Sequence, residues 1–275
     1  MLQGAHVLLI GYGYVAQAFD QVMRAAGAHV QHTVRTGDGL VFGSDAMRTA
    51  FRDSDIVMIS VPPGRDGKDP TLEALKGYQT RACWIGYLSA TSVYGDRKGQ
   101  WAYEGEAPTP SLSRGRRRAA AELAWLEHYA QTHIFRLAGI YGPGRSPFSR
   151  ILSNQARIID APGHVVNRIH IDDIVRALRA SIARPSPQDI YNIADGHPAP
   201  PGDVLRHAAE MIDADPPPVI ALNDPSISDM ARSFYAETKR IDIGRSQARL
   251  GWTPRFRTYA EGLSAVLASE RKMTI

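Results

Sequence analysis

Apolar residues recur along this chain in short runs, and the stretches between them carry helical periodicity. The runs are Val7 to Ile10, His29 to Val34, Ile56 to Val61, Cys83 to Leu88 and Ile134 to Leu137. Near-continuous apolar runs predict strands buried on both faces, and intervening helices predict a parallel sheet covered on both sides. Helix candidates are Ala46 to Phe51, Thr71 to Gln79 and Arg116 to Gln131. In the last of these, Leu123, Leu126 and Ala130 share an apolar face, and Arg116, Glu122 and Glu127 fall mostly off it. The expected class is therefore α/β with a doubly wound parallel sheet.

After Tyr141 the texture changes. Gly142-Pro143-Gly144 opens a loop-rich region, and proline breaks follow at Pro185 to Pro187, Pro198 to Pro201 and Pro216 to Pro218. No flexible linker separates the parts. The expectation is one unit over 1–275, with its core mainly in 1–145 and 165–195 and a smaller interleaved C-terminal substrate lobe mainly in 146–164 and 196–275.

Candidate chemistry begins where the first strand ends. Val7-Leu8-Leu9-Ile10-Gly11-Tyr12-Gly13-Tyr14-Val15-Ala16 reads as a buried strand, a glycine loop and the start of a helix. Gly11 permits the tight turn, Gly13 lets backbone approach a pyrophosphate, and the small Ala16 lets the helix pack on the strand with its N-terminal N–H groups facing the anion. Such a turn also occurs without a ligand. Its context points to the dinucleotide-binding Rossmann form: Phe19, Val22 and Met23 give a helical face, and Ala28-His29-Val30 starts a second strand at βαβ spacing. Tyr12, Tyr14 and Val15 join the candidate cofactor-binding set, together with Val61 and Pro62 at the end of the third run and Ala138 after the fifth. An NAD(H) site usually places a carboxylate at the end of the second strand, but Val30 to Thr36 holds none and carries Arg35. That favours NADP(H), with NAD(H) as the alternative cofactor; a solvated surface role is the other reading of Arg35.

Composition narrows the setting. A hydrophobic content of 44% and a charged content of 22% in 275 residues are those of a globular protein with a sizeable core. Cys83 is the single cysteine, so no intramolecular disulfide can form, and a cytoplasmic protein is expected. No apolar run approaches the roughly 18 residues of a membrane span, and no secretory leader pattern opens the chain. The net charge of +4 suits anionic ligands, and Arg114-Gly115-Arg116-Arg117-Arg118 concentrates it. A nucleic acid would be one partner for that run, but no recognition-helix motif or aromatic interleaving accompanies it. No zinc-ligand spacing occurs, and His128 and His133 lack partners at ligand spacing, so no metal is expected.

Taken in order, the glycine loop, Leu88-Ser89-Ala90-Thr91-Ser92-Val93-Tyr94-Gly95-Asp96, Phe135 to Arg145, Arg168-Ile169-His170-Ile171-Asp172-Asp173-Ile174, Tyr191 to Asp195 and Leu250-Gly251-Trp252-Thr253-Pro254 resemble the extended short-chain dehydrogenase/reductase superfamily, the NAD(P)-dependent epimerase/dehydratase group. The resemblance implies a hydroxyl near the Val-Tyr-Gly motif and a Tyr-x-x-x-Lys pair on the next helix, where Tyr moves a proton while the nicotinamide moves hydride. The chain departs from this. Anchored on Glu122, the Tyr position holds Arg114 and the Lys position Arg118; no lysine occurs between Lys98 and Lys239, so no register restores the pair. The usual hydroxyl position is Ala90, followed by Thr91 and Ser92.

The catalytic candidates are therefore Thr91, Ser92, Arg114 and Arg118. A guanidinium can hold a ribose but shuttles no proton at neutral pH, and strand-end hydroxyls often only cap backbone. Tyr235 and Lys239 form the chain's one Tyr-x-x-x-Lys, far past the expected helix. His170, Asp172 and Asp173 are read as fixing a loop and capping the helix from Ile174 to Ala183. Arg145 and Arg168, which border the cleft in the resembling family, are the candidates for an anionic substrate group, with surface solvation as the alternative. The leading function is a nicotinamide-dependent epimerase/dehydratase- or reductase-like protein acting on an anionic, nucleotide-sugar-like small molecule. The competing one is a non-catalytic NADP(H)-sensing module. The resemblance also implies a homodimer paired through the Arg116 to Gln131 helix.

Overall fold

The computed structural model describes residues 2–273. Its first half runs β1 (His6–Ile10), α1 (Tyr14–Ala25), β2 (His29–Val34), β3 (Leu40–Val41), α2 (Asp45–Asp53), β4 (Ile56–Ile59), α3 (Pro70–Ala74), β5 (Trp84–Ala90), a 3-10 turn (Thr91–Tyr94), β6 (Trp101–Ala102), α4 (Ser113–His128) and β7 (Thr132–Leu137). The second half runs β8 (Gly139–Tyr141), α5 (Phe148–Leu152), β9 (Ile158–Asp160), β10 (Arg168–His170), α6 (Ile171–Ala183), β11 (Ile190–Ile193), α7 (Pro201–Glu210), β12 (Val219–Ala221), α8 (Asp229–Phe234), β13 (Arg240–Ile241), α9 (Gly244–Leu250) and α10 (Tyr259–Met273).

Alternation along β1 explains the layering. Val7 and Leu9 face a core shared with Phe19 and Met23 of α1 and Ile174 and Leu178 of α6. Leu8 and Ile10 face the opposite core, with Met47 and Phe51 of α2 and Trp125 of α4. Seven strands form the central sheet in the order β11-β7-β5-β4-β1-β2-β3, all parallel. The chain leaves β1 toward β2 on one side and later sets β4 on the other, which opens a crevice at the C-terminal ends of β1 and β4. The α/β class and parallel sheet expected from the apolar runs are thus present. A third apolar cluster joins Tyr141, Phe148 and Ile151 to Val204 and Ala208 of α7 and Leu263 and Val266 of α10.

Several elements differ from the periodicity. Pro70 and the Asp69 cap start α3, as the carboxylate accepts from the N–H groups of Thr71 and Leu72, but the helix ends at Ala74 and not at Gln79. Gly77, at φ +82°, turns the chain away. Helix α4 begins at Ser113, three residues before Arg116, because Leu112 already accepts from the Arg116 N–H; it ends at His128. Its buried face is Ala121, Glu122 and Trp125, whereas Leu123 is 58% exposed. Apolar counting failed there because Glu122 has a buried cationic partner. Helix α6 starts at Ile171, with the His170 ring accepting from the Asp172 N–H and Asp173 accepting from the N–H groups of Arg255 and Phe256.

His133 on β7 is fully buried against the Trp84 ring, and its Nε2 accepts from the Ser186 N–H at 3.2 Å. Burial pushes its pKa down to about 4. The unfolded chain binds this proton below about pH 6.5, so the folded state is favoured above that pH and loses roughly 3 kcal/mol as pH falls to 4. Urea unfolding between pH 7 and 4.5 is expected to show a shallower acid-side loss in His133→Gln than in the parent.

Candidate active site

A cleft of about 930 Å³ lies over the C-terminal ends of β1, β2, β4, β5 and β7. Its floor is the turn between β1 and α1. Gly11 has φ +91°, and a Cβ there would stand 2.6 Å from the Ser60 Oγ. The turn is tied to both neighbouring strands: the Gly11 N–H donates to the Thr33 Oγ1 at 2.8 Å, and the Ser60 hydroxyl donates to the Gly11 carbonyl at 3.1 Å. Gly13 precedes α1 with no side-chain cap and no acidic residue in the first turn. A Cβ on Gly13 would meet nothing within 4 Å, so open space stands above the helix N-terminus. Uncapped N–H groups and the helix dipole favour an anion there by about 0.3–2 kcal/mol, and the cradle fits a dinucleotide pyrophosphate.

Tyr12, Tyr14, Val15, Arg35, Val61, Pro62 and Ala138 line this cleft with the two glycines. Ala16 lies beneath it, fully buried in the core under β1. The Tyr12 ring stacks on His32 at 3.7 Å and its hydroxyl donates to Asp20 at 2.6 Å. Tyr14 donates to the Pro143 carbonyl at 2.9 Å, and burial pushes its pKa up to about 12. Arg118 enters from α4, its Nη1 donating to the Leu88 carbonyl at 3.0 Å and the Tyr87 hydroxyl at 3.2 Å, beside Ser89 and Ala90. Arg145 lines the same cleft, its guanidinium carbon 5.8 Å from the Tyr14 ring. Thr91 and Ser92 sit in the 3-10 turn outside the lining residues. Arg114 also turns away, donating to Ser233 at 2.9 Å and covering the Phe234 ring at 4.6 Å.

A second cavity, of about 800 Å³, opens among α5, α7, α8, α10 and the β9 and β12 strands. Arg168 lines it, and so does Tyr235, whose ring lies 4.7 Å from His164. Lys239 lines neither space. It is buried and paired with Glu237 at 2.9 Å, and burial lowers its pKa. Arg150 and Arg157, which the sequence did not single out, complete the cationic wall.

Beneath the first cleft runs a buried polar chain. Ser89 donates to Glu122, whose Oε1 accepts from the Arg136 Nε at 3.2 Å and whose Oε2 accepts from Nη2 at 2.7 Å. Arg136 also donates to the Tyr94 hydroxyl at 2.9 Å, and that hydroxyl donates to Asn192 at 2.8 Å. Glu122 and Arg136 are 3% and 1% exposed, and among the described residues each is the other's ion-pair partner, which is what lets both be buried charged. An arginine inside the apolar run Ile134 to Leu137 was the sequence signal for this pair.

No protein-family model matches the chain. Protein YeeZ of Escherichia coli strain K12 is 31% identical over 225 residues, 70% of this chain and 79% of the relative. A conserved protein of unknown function from Silicibacter pomeroyi DSS is 37% identical, with a TM-score of 0.85 over 96% of this chain and 99% of that one. The UDP-glucose 4-epimerase of Thermotoga maritima, solved with UDP-glucose, is 20% identical, with a TM-score of 0.78 over 98% and 99%. The chain belongs to the family of protein YeeZ. At 20% identity the likeness to the epimerase is a likeness of fold.

Two stability comparisons test this geometry. Gly11→Ala is expected to lower unfolding free energy by at least about 1 kcal/mol because of φ and the Ser60 contact, whereas Gly13→Ala changes it by less than about 0.5 kcal/mol. Glu122→Ala strands the Arg136 charge and is expected to cost about 3–5 kcal/mol in urea unfolding, far more than the paired Glu122→Leu/Arg136→Leu replacement.

Proposed function

We propose that this chain is an epimerase/dehydratase- or reductase-type member of the superfamily, working in the cytoplasm, that binds NADP(H) in the first cleft and an anionic, nucleotide-sugar-like small molecule in the second cavity. The observation that carries this reading is the sign of the two linings. Arg35, Arg118 and Arg145 line the cleft, Arg150, Arg157 and Arg168 line the cavity, and neither lining includes an Asp or Glu. A carboxylate to hold a ribose 2′-hydroxyl is lacking at the end of β2, where Arg35 and Thr36 stand. A guanidinium at that point suits a 2′-phosphate. Thr33, the nearest hydroxyl on β2, is already engaged by Gly11. When bound, the nicotinamide would supply the hydride chemistry. Gly11, Gly13 and Val15 would hold its pyrophosphate, and Arg118 its ribose.

Proton transfer is the weak point of a catalytic reading. Both tyrosines lining the cleft use their hydroxyls on protein acceptors, and the Ser89 hydroxyl donates its hydrogen bond to Glu122. Arg114 and Arg118 occupy the positions that the resemblance assigns to Tyr and Lys. This favours, as a second reading, an NADP(H)-sensing module that binds without turnover; pairing of two copies through α4, where Leu123 is exposed, would be its output.

Fluorescence titration distinguishes these possibilities from a ligand-free fold. NADPH is expected to bind saturably and more tightly than NADH, and Arg35→Ala to weaken NADPH about tenfold or more while leaving NADH unchanged. Absence of saturable binding by either dinucleotide overturns both readings. Hydride transfer on a panel of nucleotide sugars decides for the enzyme.

A further inference from the structure

Arg168 stands on the wall of the second cavity with an incomplete set of partners. Its Nη1 donates to the carbonyls of Val166 at 2.9 Å and Ala199 at 3.2 Å, and among the described residues it forms no ion pair within 4 Å. Burial holds its pKa below the usual arginine range, the mark of a guanidinium short of counter-charge. The negative group that acts on it most is Asp195, joined to it through the backbone: the Asp195 N–H donates to the Arg168 carbonyl at 2.8 Å.

Asp195 is itself half satisfied. The residue is 4% exposed, its Oδ1 accepts from the His197 N–H at 2.9 Å, and its Oδ2 is buried with no hydrogen-bond partner. The groups acting on it come from three neighbouring elements. Arg168 of β10 favours its charged form, Asp173 of α6 opposes it, and Tyr141 of β8, whose hydroxyl is also buried without a partner, feels its charge. Asp173 is itself paired with Arg176 at 2.8 Å. Burial dominates the balance and pushes Asp195 up to about 7.

We infer that Arg168, on the wall of the second cavity, and the buried Asp195 joined to its backbone form a proton-linked oxyanion receptor: a phosphate-type group of the ligand pairs with Arg168, and Asp195 takes one proton from solvent onto its unpartnered Oδ2. The physical reason is exchange of counter-ions. An anion arriving at Arg168 supplies the charge that Asp195 only partly supplies, and the same anion adds a like charge beside the buried carboxylate, which then prefers to be neutral. The sign follows. Below pH 7 Asp195 is already protonated and affinity is flat; above it, each bound anion must bring a proton, and affinity falls by up to about tenfold per pH unit. This inference rests on the assignment of the second cavity to the substrate's anionic part.

Sulfate is a suitable probe because it does not titrate near neutrality. Binding would be followed in lightly buffered protein with a pH-indicator dye at pH 7.5 to 8. The parent is expected to bind sulfate saturably, to take up close to one proton per site as pH rises, and to lose this binding in Arg168→Met. Asp195→Asn keeps the Oδ1 acceptor for His197, so it is expected to fold, to bind sulfate with an affinity independent of pH, and to exceed the parent about tenfold near pH 8. Arg168-dependent binding without proton uptake, or with uptake unchanged in Asp195→Asn, overturns the proton linkage and leaves the anion site standing. No Arg168-dependent binding overturns both.

Discussion

Burial of β1 on both faces is the constraint from which the rest of the molecule follows. A strand whose four residues Val7 to Ile10 are all buried must be central, with neighbours on each side and helices above and below. Its exit is then forced into a narrow turn against β4, where only a glycine fits beside Ser60. The same turn aims the N-terminus of α1 at the crevice. Thr33 and Ser60 hold it from the two flanking strands, so the anion cradle inherits the rigidity of the sheet.

A second, ionic constraint lies under the cleft. The Glu122 and Arg136 pair joins α4 to β7, and through Ser89, Tyr94 and Asn192 it reaches β5, the 3-10 turn and β11. Such a network gives little net stability compared with apolar packing, yet removing one member is costly because the others are left charged and dry. Its place beneath Ser89 and Ala90 fixes that wall of the first cleft.

The fold was legible because the strands are runs of apolar residues and the glycine turn is local chemistry. Gly11, Gly13 and Arg35, singled out by spacing alone, line one cleft, since βαβ geometry brings the ends of β1 and β2 together. Other features were hidden. Periodicity placed Glu122 on the outer face of α4, because a buried carboxylate looks polar until its partner, fourteen residues on, is known. Arg145 and Arg168 looked alike in sequence and line different cavities, since the loop after β8 and strand β10 diverge. Arg150 and Arg157 gave no signal at all, because cavity walls built from loops and short helices carry no period.

The arginines of α4 bring these threads together. Arg118 bonds the end of β5 and borders the first cleft, while Arg114, one helical turn earlier, reaches to Ser233 and Phe234 on α8, which lines the second cavity. One helix therefore touches both spaces. A tyrosine at position 114 could move a proton but could not make the same forked contact to a serine hydroxyl and carbonyl while covering an aromatic ring. Arg114 thus ties α4 to α8 through a hydroxyl, a carbonyl and a ring at once. The wall of the first cleft and a wall of the second cavity are therefore joined through a single helix by these two guanidinium contacts.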